Sequence, residues 1–249
     1  MRYLVLTDIH ANLEALDTCL ADASARGYEQ TLVLGDIVGY GPDPNEVVER
    51  VQALEPVEMV RGNHDKVACG IEQAEGFNVV ARSAALWSFN ALTPEHRAWL
   101  AALPEGPRSV DDLIEICHGS PFDEDAYIFD DLDASHALKV SKRPLCLFGH
   151  THNPIAFAQT HIADMPHEIS LNHAGELEIV LRDGFKYLLN PGSIGQPRDG
   201  DARAAYAIVD TDRRHVELFR LEYPLEQTQA KILRAGLPEV LAQRLGVGR

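Results

Sequence analysis

Residues 1–65 alternate three short apolar runs with two segments of helical period, and this order leaves few folds open to the chain. Residues 3–6 carry a buried-strand pattern that ends at Thr7-Asp8. Leu13, Leu16 and Leu20 then share one helical face, and Gly27 supplies the stop. Residues 31–34 predict a second strand, ending at Gly35-Asp36. Asp43 and Pro44 offer an N-cap and first residue to a helix whose apolar face is Val47, Val48, Val51 and Leu54. Residues 57–60 predict a third strand, which runs into Arg61-Gly62-Asn63-His64-Asp65. A βαβαβ order implies parallel strands joined by right-handed crossovers. In such sheets ligands gather beyond the carboxyl ends of the strands.

Further along, residues 78–103 read as helical, with Thr93-Pro94 opening a second helix. Residues 113–117 predict a strand that ends at His118, and residues 145–148 another that ends at Gly149-His150-Thr151-His152. The acidic segment 123–133 reads as a surface loop. Strand patterns recur at 177–181, 185–189, 204–209 and 216–221, and the turns Asp183-Gly184 and Asp212-Arg213 predict antiparallel hairpins. Residues 225–249 read as helical. No repeat, low-complexity tract or linker divides the chain, so one α/β domain over residues 1–249 is expected.

Composition narrows the function. The formal net charge of -16 opposes binding to a nucleic-acid polymer, because such a surface repels polyanions. No stretch reaches the ~18 apolar residues of a membrane span. The apolar run at residues 3–6 is too short for a secretory signal. The expected location is therefore the cytoplasm, with Cys19, Cys69, Cys117 and Cys146 as reduced thiols. The oligomeric state stays open.

The residues of greatest chemical interest all sit just past predicted strands: Asp8 and His10, Asp36, Asn63 and His64, His118, and His150 with His152. Singly, each has a bland reading: Asp8 as a cap, Asp36 as part of a glycine-rich turn, His118 as a hydrogen-bonded structural histidine. Delivered together to one sheet edge, they read as metal donors. A set of carboxylate, amide and imidazole without thiolate suits Mn, Fe, Zn, Ni or Co. Seven of these eight donors already exceed what one ion with an open position needs, and they fit two ions sharing a carboxylate.

The order Asp-x-His, Gly-Asp, Gly-Asn-His-Asp, His, Gly-His-x-His resembles the calcineurin-like metallophosphoesterases. The match runs from Asp8 to His152, and Asn190-Pro191-Gly192-Ser193 resembles the bacterial and archaeal phosphodiesterase branch of that family. The resemblance implies a four-layer α-β-β-α sandwich with two mixed sheets. It also implies two divalent ions, with manganese the first expectation. Asp8, His10, Asp36 and His152 would hold one ion; Asp36, Asn63, His118 and His150 would hold the other. Asp36 would bridge and so belong to the catalytic set. His64, outside the ligand set, would donate a proton to the leaving oxygen. Arg198 would grip a phosphate oxygen and Tyr40 would stack on a base or phenyl ring, with Asn63 also facing substrate.

The sequence departs from the serine/threonine protein phosphatases of the superfamily, placing Gly39 and Tyr40 where those carry Asp and Arg. A small, nucleotide-like phosphodiester or phosphomonoester is the expected substrate. A phosphoanhydride hydrolase acting on dinucleoside polyphosphates is the alternative, with a protein phosphatase or a non-catalytic scaffold behind it.

Overall fold

In the computed structural model, which describes residues 1–160, 165–169 and 177–249, the first strand, β1 (Arg2–Leu6), is apolar on both faces. Tyr3 and Val5 enter one core layer, and Leu4 and Leu6 enter another. A strand buried on both sides needs a packed layer on each. α1 (Leu13–Arg26) covers one side; Asn12 Oδ1 caps it by accepting from the Ala15 N–H at 3.2 Å. β2 (Gln30–Val33), α2 (Pro44–Gln52) and β3 (Val57–Met59) follow, and β1, β2 and β3 pair in parallel. Asp43 precedes α2 as expected, but its carboxylate makes no cap hydrogen bond. It accepts instead from Lys231 Nζ at 2.9 Å.

α3 (Asn63–Cys69), α4 (Val79–Ala91) and α5 (Pro94–Ala101) form the expected helical stretch, with Asn78 and Thr93 capping the last two. β4 (Arg108–Ser109) and β5 (Ile114–Ile116) come next. The acidic segment departs from the expected loop, because its end opens α6 (Asp131–Val140). Asp130 Oδ1 accepts from the Leu132 and Asp133 N–H groups, and Asp131 and Asp133 lie in the first turn, where the helix dipole favours negative charge. The chain continues through β6 (Leu145–Leu147), β7 (Ile155–Thr160), β8 (His167–Ile169), β9 (Leu177–Val180), β10 (Phe185–Asn190), β11 (Ala204–Asp210) and β12 (His215–Leu221). It ends with α7 (Leu225–Arg234) and α8 (Glu239–Leu245).

Two mixed six-stranded sheets result, in the orders β3-β2-β1-β11-β12-β9 and β4-β5-β6-β10-β7-β8. β11 and β12 form the hairpin expected across Asp212-Arg213. No hairpin forms across Asp183-Gly184. There β9 joins β12 at the edge of the first sheet, while β10 runs between β6 and β7 in the second. Burial explains the split. β9 buries only Ile179, as an edge strand can, whereas β10 buries Tyr187 and Leu189 on one face and Leu188 on the other.

Tyr3, Val5, Leu32 and Val209 of the first sheet meet Ile114, Leu145, Ala158 and Leu189 of the second in one inter-sheet core. Outside the first sheet, Leu4, Leu6 and Ile208 pack on Leu16, Cys19, Val47 and Val51 of α1 and α2. Outside the second, Phe148, Phe157 and Leu188 pack on Ala134, Ala137 and Leu138 of α6. The order of layers is α-β-β-α. All four cysteines are free. Among the described residues no helix is long and apolar enough to cross a membrane.

Candidate metal centre

Asp8 and His10 follow β1, Asp36 follows β2, and Asn63 and His64 open α3 after β3. His118 follows β5, and His150 and His152 follow β6. β1, β2 and β3 belong to one sheet, β5 and β6 to the other. The donors therefore converge from the strand ends of two sheets, not from one sheet edge as the sequence reading has it. Asp8, His10, Asp36 and His152 form one group of potential ligand atoms within 4.8 Å of one another, and Asp36, His118 and His150 form a second. Asp36 is common to both.

The turns that carry these groups are locally strained. Asp8, His10, Asp36, His150 and His152 have φ of 50°, 49°, 52°, 67° and 59°, and Tyr40 has 57°. Left-handed conformations cost non-glycine residues about 1–3 kcal/mol each and persist only where surroundings over-determine them. Here the motifs hold one another. The His150 N–H donates to both Asp8 oxygens at 3.1 Å, and the His64 N–H donates to Asp36 Oδ1 at 2.9 Å. Asp65 accepts from the Val38 and Gly62 N–H groups at 3.1 and 3.0 Å, tying the second motif to the third. Asn190 Nδ2 donates to the Gly149 carbonyl at 2.7 Å and to Thr151 Oγ1 at 2.9 Å. Gly149 has to be glycine, because a Cβ there would collide with Thr7 Oγ1 and lie 2.9 Å from Asp8 Oδ2.

The imidazole hydrogen bonds test whether this set suits a cation. His10 Nδ1 lies 3.1 Å from the Val38 carbonyl, His118 Nδ1 2.7 Å from that of Leu34, and His152 Nδ1 2.6 Å from that of Gln196. A carbonyl only accepts, so each Nδ1 carries a proton, and in the neutral ring the bare nitrogen is the Nε2 turned inward. His10 Nε2 and His152 Nε2 face each other at 3.1 Å, as do His118 Nε2 and His150 Nδ1. The opposed lone pairs of neutral His10 and His152 repel at that distance unless a cation joins them, whereas His118 and His150 are joined by a proton or by a cation. Asp36 Oδ2 lies 3.5 Å from both His10 Nε2 and His118 Nε2, and Asp8 Oδ1 lies 3.5 Å from His152 Nε2. Asn63 Oδ1 adds an oxygen 3.2 Å from His118 Nε2. These Asp/His clusters suit divalent metal ions.

Protonation follows the same logic. Burial holds His10 and His152 well below the usual histidine range, and lowers His150 to about 3 and His64 to about 4. At His118 burial acts in the same sense, but Asp36 and Asp8 outweigh it and push the group up to about 10. Burial raises Asp8 to about 7 against the pull of His118. Asp36 is also opposed by burial, yet His118, His64 and His10 hold it well below the carboxylate range. Asp36 and Asp8 thus favour positive charge at His118, as a second proton or as a cation held at its Nε2.

Beside the donors lies a cavity of about 370 Å³, lined among others by His64, Phe77, Tyr127, Arg198 and Arg244. His64 is buried, and its Nδ1 has no hydrogen-bond partner among the described residues. A Cβ on Gly39 (φ 92°) would collide with that nitrogen. Arg198 lines the cavity and donates from Nη2 to the Tyr40 hydroxyl at 3.2 Å. Tyr40 also lines it but is buried, its ring packed on His10 and His64 with centroids 4.7 and 4.3 Å apart. Arg61 points elsewhere, paired with Glu124 at 2.8 Å and Glu105 at 3.0 Å. Phe77, Tyr127 and Arg244 were not legible as site residues. No local pattern marks Tyr127, which is exposed like Phe129 in the same acidic segment.

The model of the calcineurin-like phosphoesterase superfamily domain matches residues 1–214. The chain is similar to an uncharacterised protein of Methanocaldococcus jannaschii, 36% identical over 254 residues that cover 98% of this chain and 97% of that one. Among solved structures it resembles a metallophosphoesterase from Sphaerobacter thermophilus at 39% identity and a TM-score of 0.86, over 100% of both chains. It also resembles a hypothetical protein from Pyrococcus horikoshii OT3 at 22% identity and a TM-score of 0.78, over 100% of this chain and 98% of that one. That last likeness concerns the fold alone. The donor order, the two packed sheets and the family match agree: this chain belongs to the calcineurin-like phosphoesterase superfamily.

Proposed function

We propose that the protein is a two-metal phosphoesterase that hydrolyses small, nucleotide-like phosphodiesters or phosphomonoesters. The observation that carries this reading is Asp36 Oδ2, placed 3.5 Å from an imidazole nitrogen of each donor group. Two divalent ions, manganese first among the candidates, would neutralise phosphoryl charge and lower the pKa of the attacking water. Asp8, His10 and His152, with Asp36, would hold one of them; Asn63, His118 and His150, with Asp36, the other.

The chain's own groups do the rest. Phosphoryl transfer needs mostly positioning and charge neutralisation, and the Arg198 guanidinium adds a fixed positive charge at the cavity. Phe77 packs on His64 with centroids 4.6 Å apart and offers an aromatic wall to a base or aryl group. Tyr40, buried against the histidines, positions Arg198 through its hydroxyl. His64 is neutral when burial acts on it alone. A phosphate anion beside it favours the protonated ring, the form that gives a proton to the leaving oxygen. Glycine at position 39 leaves no carboxylate on His64 Nδ1, which favours small substrates over a protein phosphatase role. A cytoplasmic location belongs to this reading, supported by the four free cysteines.

The test is turnover of an aryl phosphodiester by manganese-loaded wild type and Asp36→Asn. The expected loss is about a hundredfold or more, because the shared ligand serves both donor groups. Turnover retained within about threefold would remove Asp36 from the mechanism.

A further inference from the structure

In a chain with 38 carboxylates against 22 lysines and arginines, an arginine without a carboxylate needs a reason. Arg61 is paired with Glu124, Arg203 with Asp201, and Arg220 with Asp199. Two arginines that line the cavity beside the donors, Arg198 and Arg244, pair with no Asp or Glu side chain among the described residues. Arg198 Nε is buried without an acceptor. Arg244 donates from Nε to a main-chain oxygen of the last residue, Arg249, at 2.7 Å, which leaves both Nη atoms without an acceptor among the described residues. The cavity's carboxylates apart from Asp36 are Glu72 and Asp125. Lys66 Nζ binds both, at 2.9 and 2.6 Å.

The two guanidiniums also feel each other. Burial, and then the like charge of Arg198, lowers the pKa of Arg244. They come from separate parts of the fold. Arg198 follows the Asn190–Ser193 turn, and its N–H donates to the His152 carbonyl at 3.3 Å. Arg244 lies in the last turn of α8, whose Leu241, Ala242 and Leu245 pack in one cluster with Tyr40. Tyr40 thus ties α8 to the metal-donor turns and brings a second cation to the same cavity.

We propose that Arg198 and Arg244 form an anion subsite beside the donor cluster, so that the preferred substrate carries a second phosphate besides the one that is cut. The planar guanidinium fork matches phosphate oxygens in pairs. A dianion between two such forks relieves their repulsion and meets the donors left without acceptors. The metal donors serve the phosphate that is cut, and the arginines hold the other. The substrate assignment rests on the phosphoesterase reading above; the subsite itself does not.

The experiment is calorimetric titration of AMP and ADP into the chelator-treated full chain. It is repeated with manganese-loaded protein, where both nucleotides compete against an aryl phosphodiester. Wild type should bind ADP at least about tenfold more tightly than AMP, the effect of a charge-assisted contact to the added phosphate. Arg244→Gln should bring that ratio down to about threefold or less. Arg244→Lys, which keeps the charge but loses the fork, should fall between. If Arg244→Gln does not fold, Arg244→Lys decides, and a ratio equal to that of wild type overturns the proposal. So does a wild-type ratio near one, no measurable binding of either nucleotide, or an unchanged ratio in a folded Arg244→Gln. Aryl-ester hydrolysis without ADP preference would keep the phosphoesterase and remove the subsite. An arginine-dependent ADP preference in a chain that hydrolyses no phosphoester would do the reverse.

Discussion

Asn190→Ala should weaken the fold and the metal centre together. The Asn190 side chain is fully buried and makes three hydrogen bonds: to the Gly149 carbonyl at 2.7 Å, to Thr151 Oγ1 at 2.9 Å, and from the Gly192 N–H at 2.8 Å. Truncation leaves the Gly192 N–H as a buried orphan and takes one of two donors from the Gly149 carbonyl, which keeps the Thr151 N–H at 2.7 Å. The orphan costs ~1–3 kcal/mol and the lost bonds to Gly149 and Thr151 about 1 kcal/mol more, so a loss of about 3 kcal/mol is the central expectation. In a chain of this size that lowers Tm by about 6–12 °C. His150 sits between the two residues that Asn190 holds, and loss of such support costs about 10–100-fold in metal affinity. Thermal unfolding in chelator isolates the stability effect from ligand linkage; calorimetric titration with manganese then measures affinity. A Tm shift below about 2 °C with unchanged manganese affinity would refute the view that Asn190 fixes the His150 turn.

Two further expectations follow from the same structure. His64→Ala should keep its metal content and lose about 10²–10⁴-fold in turnover, with the larger loss for esters of poor leaving groups; equal losses for activated and unactivated esters would argue against proton donation by His64. Glu124 ties the acidic segment to Arg61 and Lys66 at 2.8 and 3.1 Å. Burial opposes its charge, but these two cations outweigh burial and hold its pKa below the usual value. A depressed carboxyl stabilises the fold above its unfolded pKa of about 4.3 and loses that contribution as pH falls through the folded value. The stability deficit of Glu124→Gln, about 1–2 kcal/mol at neutral pH, should therefore shrink below pH ~4 when read by thermal unfolding; a deficit independent of pH would contradict the pairing.

The donor set was legible because each donor ends a strand whose apolar run is plain in sequence: residues 3–6 before Asp8, 31–34 before Asp36, 145–148 before His150. Parallel strands send such ends to one side, so convergence could be anticipated without knowing that two sheets share the task. Local pattern says less about which strand pairs with which. Asp183-Gly184 reads as a hairpin turn, and Gly184 does turn the chain at φ 79°, but β9 and β10 leave it for different sheets. β8 has no apolar alternation to betray it, being mostly exposed. The left-handed turns at Asp8, His10 and His150 were equally hidden: Asp and His enter that region more often than other non-glycine residues but still seldom, and tertiary hydrogen bonds impose it here. Arg244 escaped notice for a related reason. Its approach to the cavity depends on how α8 docks against Tyr40, a contact between residues far apart in sequence.

Whether Asp36 serves two cation sites is tested most directly by metal stoichiometry. Chelator-treated protein is equilibrated with manganese, freed of excess by gel filtration and measured by elemental analysis. The account predicts about two ions per chain in wild type, and at most about one in Asp36→Asn, with the fold intact by circular dichroism. A wild type that binds no ion, or a variant that binds as many ions as wild type, would contradict it.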